Sequence, residues 1–233
     1  MNQASSNTAS NNKGRKPLVA SNSRTEEITI DQHTMRVTVI ATDPQIVYIT
    51  NFLTHEECKD IVNLAQPRLL TSTVVNTVTG AMEQHTARSS QGTYFARGQT
   101  ATISQIEQRI AAITNWPVDH GEGLQVLNYQ INGEYRRHFD YFDPALPGSN
   151  IHLARGGQRF ATMIMYLNTP TAGGTTDFPR LDISVPAIQG AAVFFANVDD
   201  NLTVGPRSEH AGMPVLAGEK WIATKWLRAN KFG

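Results

Sequence analysis

From Leu124 onward the chain is cut into short pieces by glycine. Asn132-Gly133, Gly148, Gly156-Gly157, Gly173-Gly174, Gly190 and Gly218 punctuate it. Between them stand segments 124–130, 159–168, 183–185, 191–196 and 221–228, rich in β-branched and aromatic residues. Few segments here are long enough for a helix of ordinary length, but all suit strands. Several short strands separated by turns bury one face each by closing on one another. This predicts a sandwich or barrel-like β core.

The N-terminal half reads differently. Residues 1 to about 25 are mostly Asn, Ser, Thr and Lys. They cannot bury enough apolar surface to offset their ordering entropy, which predicts a disordered polar tail over 1–25 and a folded domain over 26–233. Segments 35–40 and 46–49 read as strands. Thr54-His55-Glu56-Glu57 has the pattern of a capping box, and a helix is expected from there through Cys58, Ile61, Val62, Leu64 and Ala65. A second helix fits 101–113, with Ile103, Ile106, Ile110 and Ile113 on one stripe. Segment 72–79 looks extended, and 80–91 reads as a mobile loop with Arg88 at its edge. The expected fold class is mainly β with flanking helices (α+β), the helices packing outside the β core.

Composition narrows the function. Lys plus Arg number 20 and Asp plus Glu number 20, so no basic excess marks a nucleic-acid binder. No apolar run approaches the roughly 20 residues of a membrane span, and no leader-like apolar segment opens the chain, so a cytoplasmic setting is expected. Cys58 is the only cysteine, which excludes an intramolecular disulfide and cysteine-based zinc sites. Its simplest role is a small core residue. There is no Gly-x-Ser-x-Gly elbow.

One constellation carries chemistry. His138 and Asp140 lie two residues apart, so on an extended backbone both point to one side. His210 follows seventy residues after Asp140. Two imidazoles and one carboxylate on one face of a metal leave the other face open, the facial arrangement of non-heme Fe(II) oxygenases. The spacing alone is common in surface and core pairs. Strand parity adds Lys220, which shares a face with Ile222, Thr224 and Trp226. An interior ammonium there would need an anion, such as a dicarboxylate cosubstrate; at a strand's start it can equally reach water. The hydroxyls of Tyr129 and Thr162 can bond a bound carboxylate or a local backbone group. His55 reads as solvated, His120 as a turn residue, His152 as a loop residue or substrate contact, and Gly173-Gly174-Thr175-Thr176 as a turn.

Four blocks in order resemble the catalytic domain of prolyl 4-hydroxylases. These are Leu124 to Tyr129 with Gly133 to Asp140, Arg159 to Asn168, Gly173 to Pro179, and His210 to Val215 with Gly218 to Trp221. The likeness runs from about Val47 to Phe232. It implies a double-stranded β-helix (jelly-roll) core, with the metal and cosubstrate machinery in 124–230. It further implies Fe(II) on His138, Asp140 and His210, 2-oxoglutarate with its far carboxylate on Lys220, and O2 as oxidant. Tyr129 and Thr162 stand where the family places further cosubstrate hydroxyls, and Tyr135, Arg155 and Trp226 at positions lining the peptide groove. L-Ascorbate is the implied reductant. Thr175 replaces the family's usual glutamate and Met213 its common cysteine. The expected activity is hydroxylation of prolyl residues, at the 4-position, in a peptide or protein, with 2-oxoglutarate decarboxylated to succinate. The alternatives are the same chemistry on a free amino acid, another side chain or a small molecule, and a non-catalytic β-helix binding module. Loops 80–91 and 144–157 are expected to close over the peptide.

Overall fold

The computed structural model describes residues 25–199, 201 and 203–233. Apart from Thr25, which opens a strand, the segment read as a polar tail lies outside the described residues. The chain is mainly β, with few helices. Nine strands form one antiparallel sheet, in the order Thr25–Ile30, His33–Thr42, Gln45–Thr50, Ala192–Ala196, Arg159–Tyr166, Lys220–Arg228, Leu124–Tyr129, Gln91–Phe95, Leu70–Thr71. Four short strands form a second sheet, in the order Ile183–Val185, Thr176–Phe178, His210–Gly212, Tyr135–His138.

Period-2 alternation gives the large sheet two apolar faces. One carries Val126, Met163, Met165, Phe194, Trp221, Ala223 and Leu227. Against it pack helices His55–Ala65 and Ala101–Thr114, the latter through Ile103, Ile106, Ile110 and Ile113. The other face carries Leu127, Tyr129, Ile164, Tyr166, Val193, Phe195 and Ile222, and buries Phe178 and Val185 of the second sheet. Two apolar layers thus sit on either side of one sheet, and the polar site lies within the second.

The first helix starts as its sequence requires. Thr54 Oγ1 accepts from Glu57 N at 3.1 Å, and Glu57 Oε2 accepts from Thr54 N at 2.9 Å. Glu57 also pairs with Arg109 of the second helix at 2.8 Å, which fixes the two helices to each other. Cys58 is fully buried, and burial pushes its thiol up to about 11, as expected of an unreactive core residue. Lys225 faces the helices rather than the site; its ammonium donates to Glu107 and to the Glu122 carbonyl.

Candidate metal centre

The two histidines meet because their strands pair. His138 ends Tyr135–His138, His210 begins His210–Gly212, and the antiparallel register sets them opposite each other. Asp140 follows His138 by two residues and turns the same way. The ligating atoms of His138, Asp140 and His210 all lie within 4.8 Å of one another, the one such cluster among the described residues. His138 Nε2 is 3.7 Å from Asp140 Oδ1, and His210 Nε2 is 3.7 Å from Asp140 Oδ2.

The surroundings fit a divalent cation. Each imidazole directs Nδ1 to the carbonyl two residues earlier, His138 to Arg136 at 2.8 Å and His210 to Ser208 at 3.0 Å. A carbonyl only accepts, so Nδ1 carries the proton and both Nε2 lone pairs face the common point. Burial, reinforced by the charge of His210, pulls His138 down to about 3, so it stays neutral near pH 7. Burial alone would raise Asp140; its coupling to His210, His138 and Arg159 and the Trp226 hydrogen bond outweigh it and lower the carboxyl to about 2. Two imidazoles that turn Nε2 to a common point and an anionic carboxylate, with an open side, are the donor set of a facial ferrous site.

A narrow cavity of about 40 Å³ leads inward from the centre, lined by Leu127, Tyr129, Ile164, Thr176, Ile222 and Lys220. Lys220 is 3 % exposed, and no carboxylate among the described residues reaches salt-bridge distance of it. Burial lowers its ammonium to about 8, with the charge of Asp177 opposing. The register sets Lys220 opposite Tyr129, whose ring centroid is 5.8 Å from Nζ. A buried cation without an ion partner is costly unless an anion joins it. Thr175, the departure from the family's glutamate, donates to Asp177 at 2.7 Å, and Ser184 donates to the same oxygen at 2.6 Å. At Gly174, with φ +72°, an added Cβ would come within 3.3 Å of Lys220 Cδ.

Outward, a wider cleft of about 360 Å³ is lined by Tyr94, Tyr135, Phe139, Tyr141, Phe142 and Arg159, among others. Tyr135 stacks on His138 with ring centroids 3.5 Å apart and belongs to both cavities. A larger hollow of about 510 Å³ lies around Pro44, Asn197 and Arg207, but among the described residues no cluster of metal-ligating groups lines it.

Several expected site residues are placed differently. Thr162 lines neither cavity; its hydroxyl donates to Asp140 Oδ2 at 2.7 Å, because strand Arg159–Tyr166 sets it opposite Trp226 and over the carboxylate. Trp226 does line the cleft, but its Nε1 also donates to Asp140 Oδ2 at 2.9 Å. Arg155, expected in the groove, is exposed outside it and lies over the Phe232 ring at 5.0 Å. Arg159 occupies the groove instead, 3.8 Å from the Trp226 ring centroid and paired with Glu122 at 2.7 Å. Arg88, read as a loop edge, is 9 % exposed, bonds Gln125 Oε1 at 3.1 Å and lies over the Tyr135 ring at 4.8 Å. His152 bonds the Gly80 carbonyl at 2.9 Å and stacks on Phe142, tying the 80–91 and 144–157 segments together.

This geometry defines an iron-dependent oxygenase class, and the similarities agree. Residues 124–228 match the 2OG-Fe(II) oxygenase superfamily. The chain is 40 % identical over 215 residues to probable prolyl 4-hydroxylase 10 of Arabidopsis thaliana, covering 84 % of this chain and 73 % of the relative. It is 37 % identical to prolyl 4-hydroxylase 5 of the same plant, covering 84 % and 72 %. The crystal structure of a viral collagen prolyl hydroxylase from Paramecium bursaria Chlorella virus-1, in complex with 2OG, superposes with TM-score 0.62 at 29 % identity, covering 79 % of this chain and 96 % of that one. The chain belongs to the prolyl 4-hydroxylase family.

Proposed function

We propose that this protein hydroxylates prolyl residues of a peptide or protein, at the ring 4-carbon, and converts 2-oxoglutarate to succinate as it does so. The reading rests on one arrangement: a cluster of two imidazoles and a carboxylate standing between a buried lysine with no salt-bridge partner among the described residues and an aromatic-lined cleft. His138, Asp140 and His210 would hold Fe(II). The bound ion, with O2 and the 2-oxo acid, supplies the oxidising chemistry that puts one oxygen atom on carbon and the other in succinate, with loss of CO2.

Each remaining task falls to the chain's own groups. Lys220 takes the far carboxylate of 2-oxoglutarate, and Tyr129 lies beside it. Leu127, Ile164 and Ile222 keep water from the cosubstrate's methylenes. Tyr94, Tyr135, Tyr141 and Phe142 give the outer cleft faces against which a proline ring or an extended proline-rich segment can lie. L-Ascorbate would be the reductant that this chemistry calls on. The two sheets are read together as a double-stranded β-helix, and residues 26–233 as one catalytic domain.

The test is incubation of the protein with Fe(II), 2-oxoglutarate and a proline-rich peptide, followed by mass spectrometry. One added oxygen on proline per succinate formed is expected. Succinate with an unmodified peptide but a hydroxylated free amino acid would keep the chemistry and reject the peptide.

A further inference from the structure

We infer that Asn197 is a positioning residue of this metal centre: it fixes the direction of the Thr162 hydroxyl and so reserves Asp140 Oδ1 for the metal. The inference rests on His138, Asp140 and His210 being the ligands.

Thr162 is fully buried and Asn197 is 1 % exposed, so neither exchanges its partners with solvent. Thr162 Oγ1 lies 2.7 Å from Asp140 Oδ2 and 2.9 Å from Asn197 Nδ2. An ionised carboxylate can only accept, so the single hydroxyl hydrogen goes to Asp140. The hydroxyl must then accept from Asn197. Turning the amide over would set a carbonyl oxygen against a hydroxyl oxygen with no hydrogen left to give. The amide orientation is thereby fixed by the network rather than by convention. The relay runs one way: amide N–H to hydroxyl, hydroxyl to carboxylate.

Two further observations give the relay its purpose. Asn197 Oδ1 is buried with no hydrogen-bond partner among the described residues. A side chain there only to fill space would do so better without that orphaned oxygen. Trp226 Nε1 donates to the same Asp140 oxygen at 2.9 Å. Both oxygens lie equally near an imidazole, Oδ1 3.7 Å from His138 Nε2 and Oδ2 3.7 Å from His210 Nε2, but Oδ2 holds two donors while Oδ1 receives no hydrogen bond from a described residue. Two donors on one oxygen hold the carboxylate to single-oxygen ligation. A facial triad with one carboxylate oxygen leaves three positions on a six-coordinate ion, enough for a chelating 2-oxo acid and O2. A carboxylate free to rotate and ligate through both oxygens would take one of them. Nothing in the sequence pointed to Asn197, because the link passes through Thr162 on a neighbouring strand, where Thr162 pairs with Phe195.

The test uses Co(II) as the probe, titrated into the full chain, with its d–d absorption recorded and the metal-free proteins melted as a fold control. The variants are Asn197→Leu, Thr162→Val, the double variant and Thr162→Ser. Asn197→Leu should bind Co(II) about tenfold or more weakly, within the usual range for losing a ligand's supporting hydrogen bond, with an altered d–d band. Thr162→Val should do the same, the double variant should be no worse than Thr162→Val alone, and Thr162→Ser should match wild type. If Asn197→Leu does not fold, Asn197→Ala takes its place in the same comparison. Wild-type affinity and spectrum in the Asn197 variant, or losses that add in the double variant, would overturn the positioning role while the ligand assignment stood. No uptake by wild type would remove both.

Discussion

Replacing Lys220 by methionine keeps an unbranched apolar stem in the inner cavity and deletes only the ammonium. That ammonium would face the far carboxylate of 2-oxoglutarate; it is 3 % exposed and free of any competing salt bridge among the described residues. Removing one partner of a buried charge pair costs about 2–5 kcal/mol. The low end applies, because burial has lowered the ammonium to about 8 and some of the pairing energy goes to holding its proton. About 2–3 kcal/mol corresponds to a KM for 2-oxoglutarate raised roughly 30- to 150-fold. The turnover number at saturation should change far less, since the lysine touches the end of the molecule remote from the reaction. The pH dependence supplies a second readout. The lysine loses its proton as pH rises through about 8, and an anion binds the protonated form, so wild-type KM should climb above that pH towards tenfold per unit. In Lys220→Met this rise should be missing. Succinate release measured against 2-oxoglutarate concentration from pH 7 to pH 9.5 gives both results. An unchanged KM in the variant, or the same alkaline rise in both proteins, would refute the anchor role.

Further outcomes follow from other contacts. Trp226→Phe removes one of two donors on Asp140 Oδ2 and should weaken Fe(II) binding about tenfold, read by equilibrium dialysis, with little change in melting temperature. Thr54→Ala deletes a capping hydroxyl remote from the centre and should lower stability by about 1 kcal/mol in denaturant melts while leaving turnover intact. Glu107→Leu strands the Lys225 ammonium between helix and sheet and should cost about 3–5 kcal/mol; adding Lys225→Met should recover most of it. If the double variant melts no higher than the single one, that ion pair is not what holds the helix down.

Much of this architecture was legible because it depends on periods. Alternation along 220–228 put Lys220, Ile222, Thr224 and Trp226 on one face, and that face lines the inner cavity. The isoleucine stripe of the second helix marked its buried side, and Thr54 with Glu57 marked where the first helix starts. The pairing of His210 with His138 is a matter of register between strands far apart in sequence, and the motif alone could not supply it. What stayed hidden depends on strand order. Thr162 has a hydroxyl on the site-facing side of its strand, as parity requires. Whether it serves the cosubstrate or Asp140 is decided by its neighbours, Trp226 on one side and Phe195 on the other. Arg155 and Arg159 sit four residues apart around a glycine pair with φ +92° and +75°, and that turn sends the first outward and the second into the cleft. Arg88 gave no local sign of burial, because beyond nearby Ser90 and Thr73 it is held by Gln125 and Tyr135, more than thirty residues away.

The ligand assignment is most directly tested by anaerobic titration of Fe(II) into the protein with 2-oxoglutarate present, followed by the visible charge-transfer absorption of a ferrous 2-oxo acid chelate. The band should saturate at one iron per chain and be lost in His138→Ala, Asp140→Ala and His210→Ala. A band of full strength in any of the three, or none in the unaltered protein, would contradict the assignment.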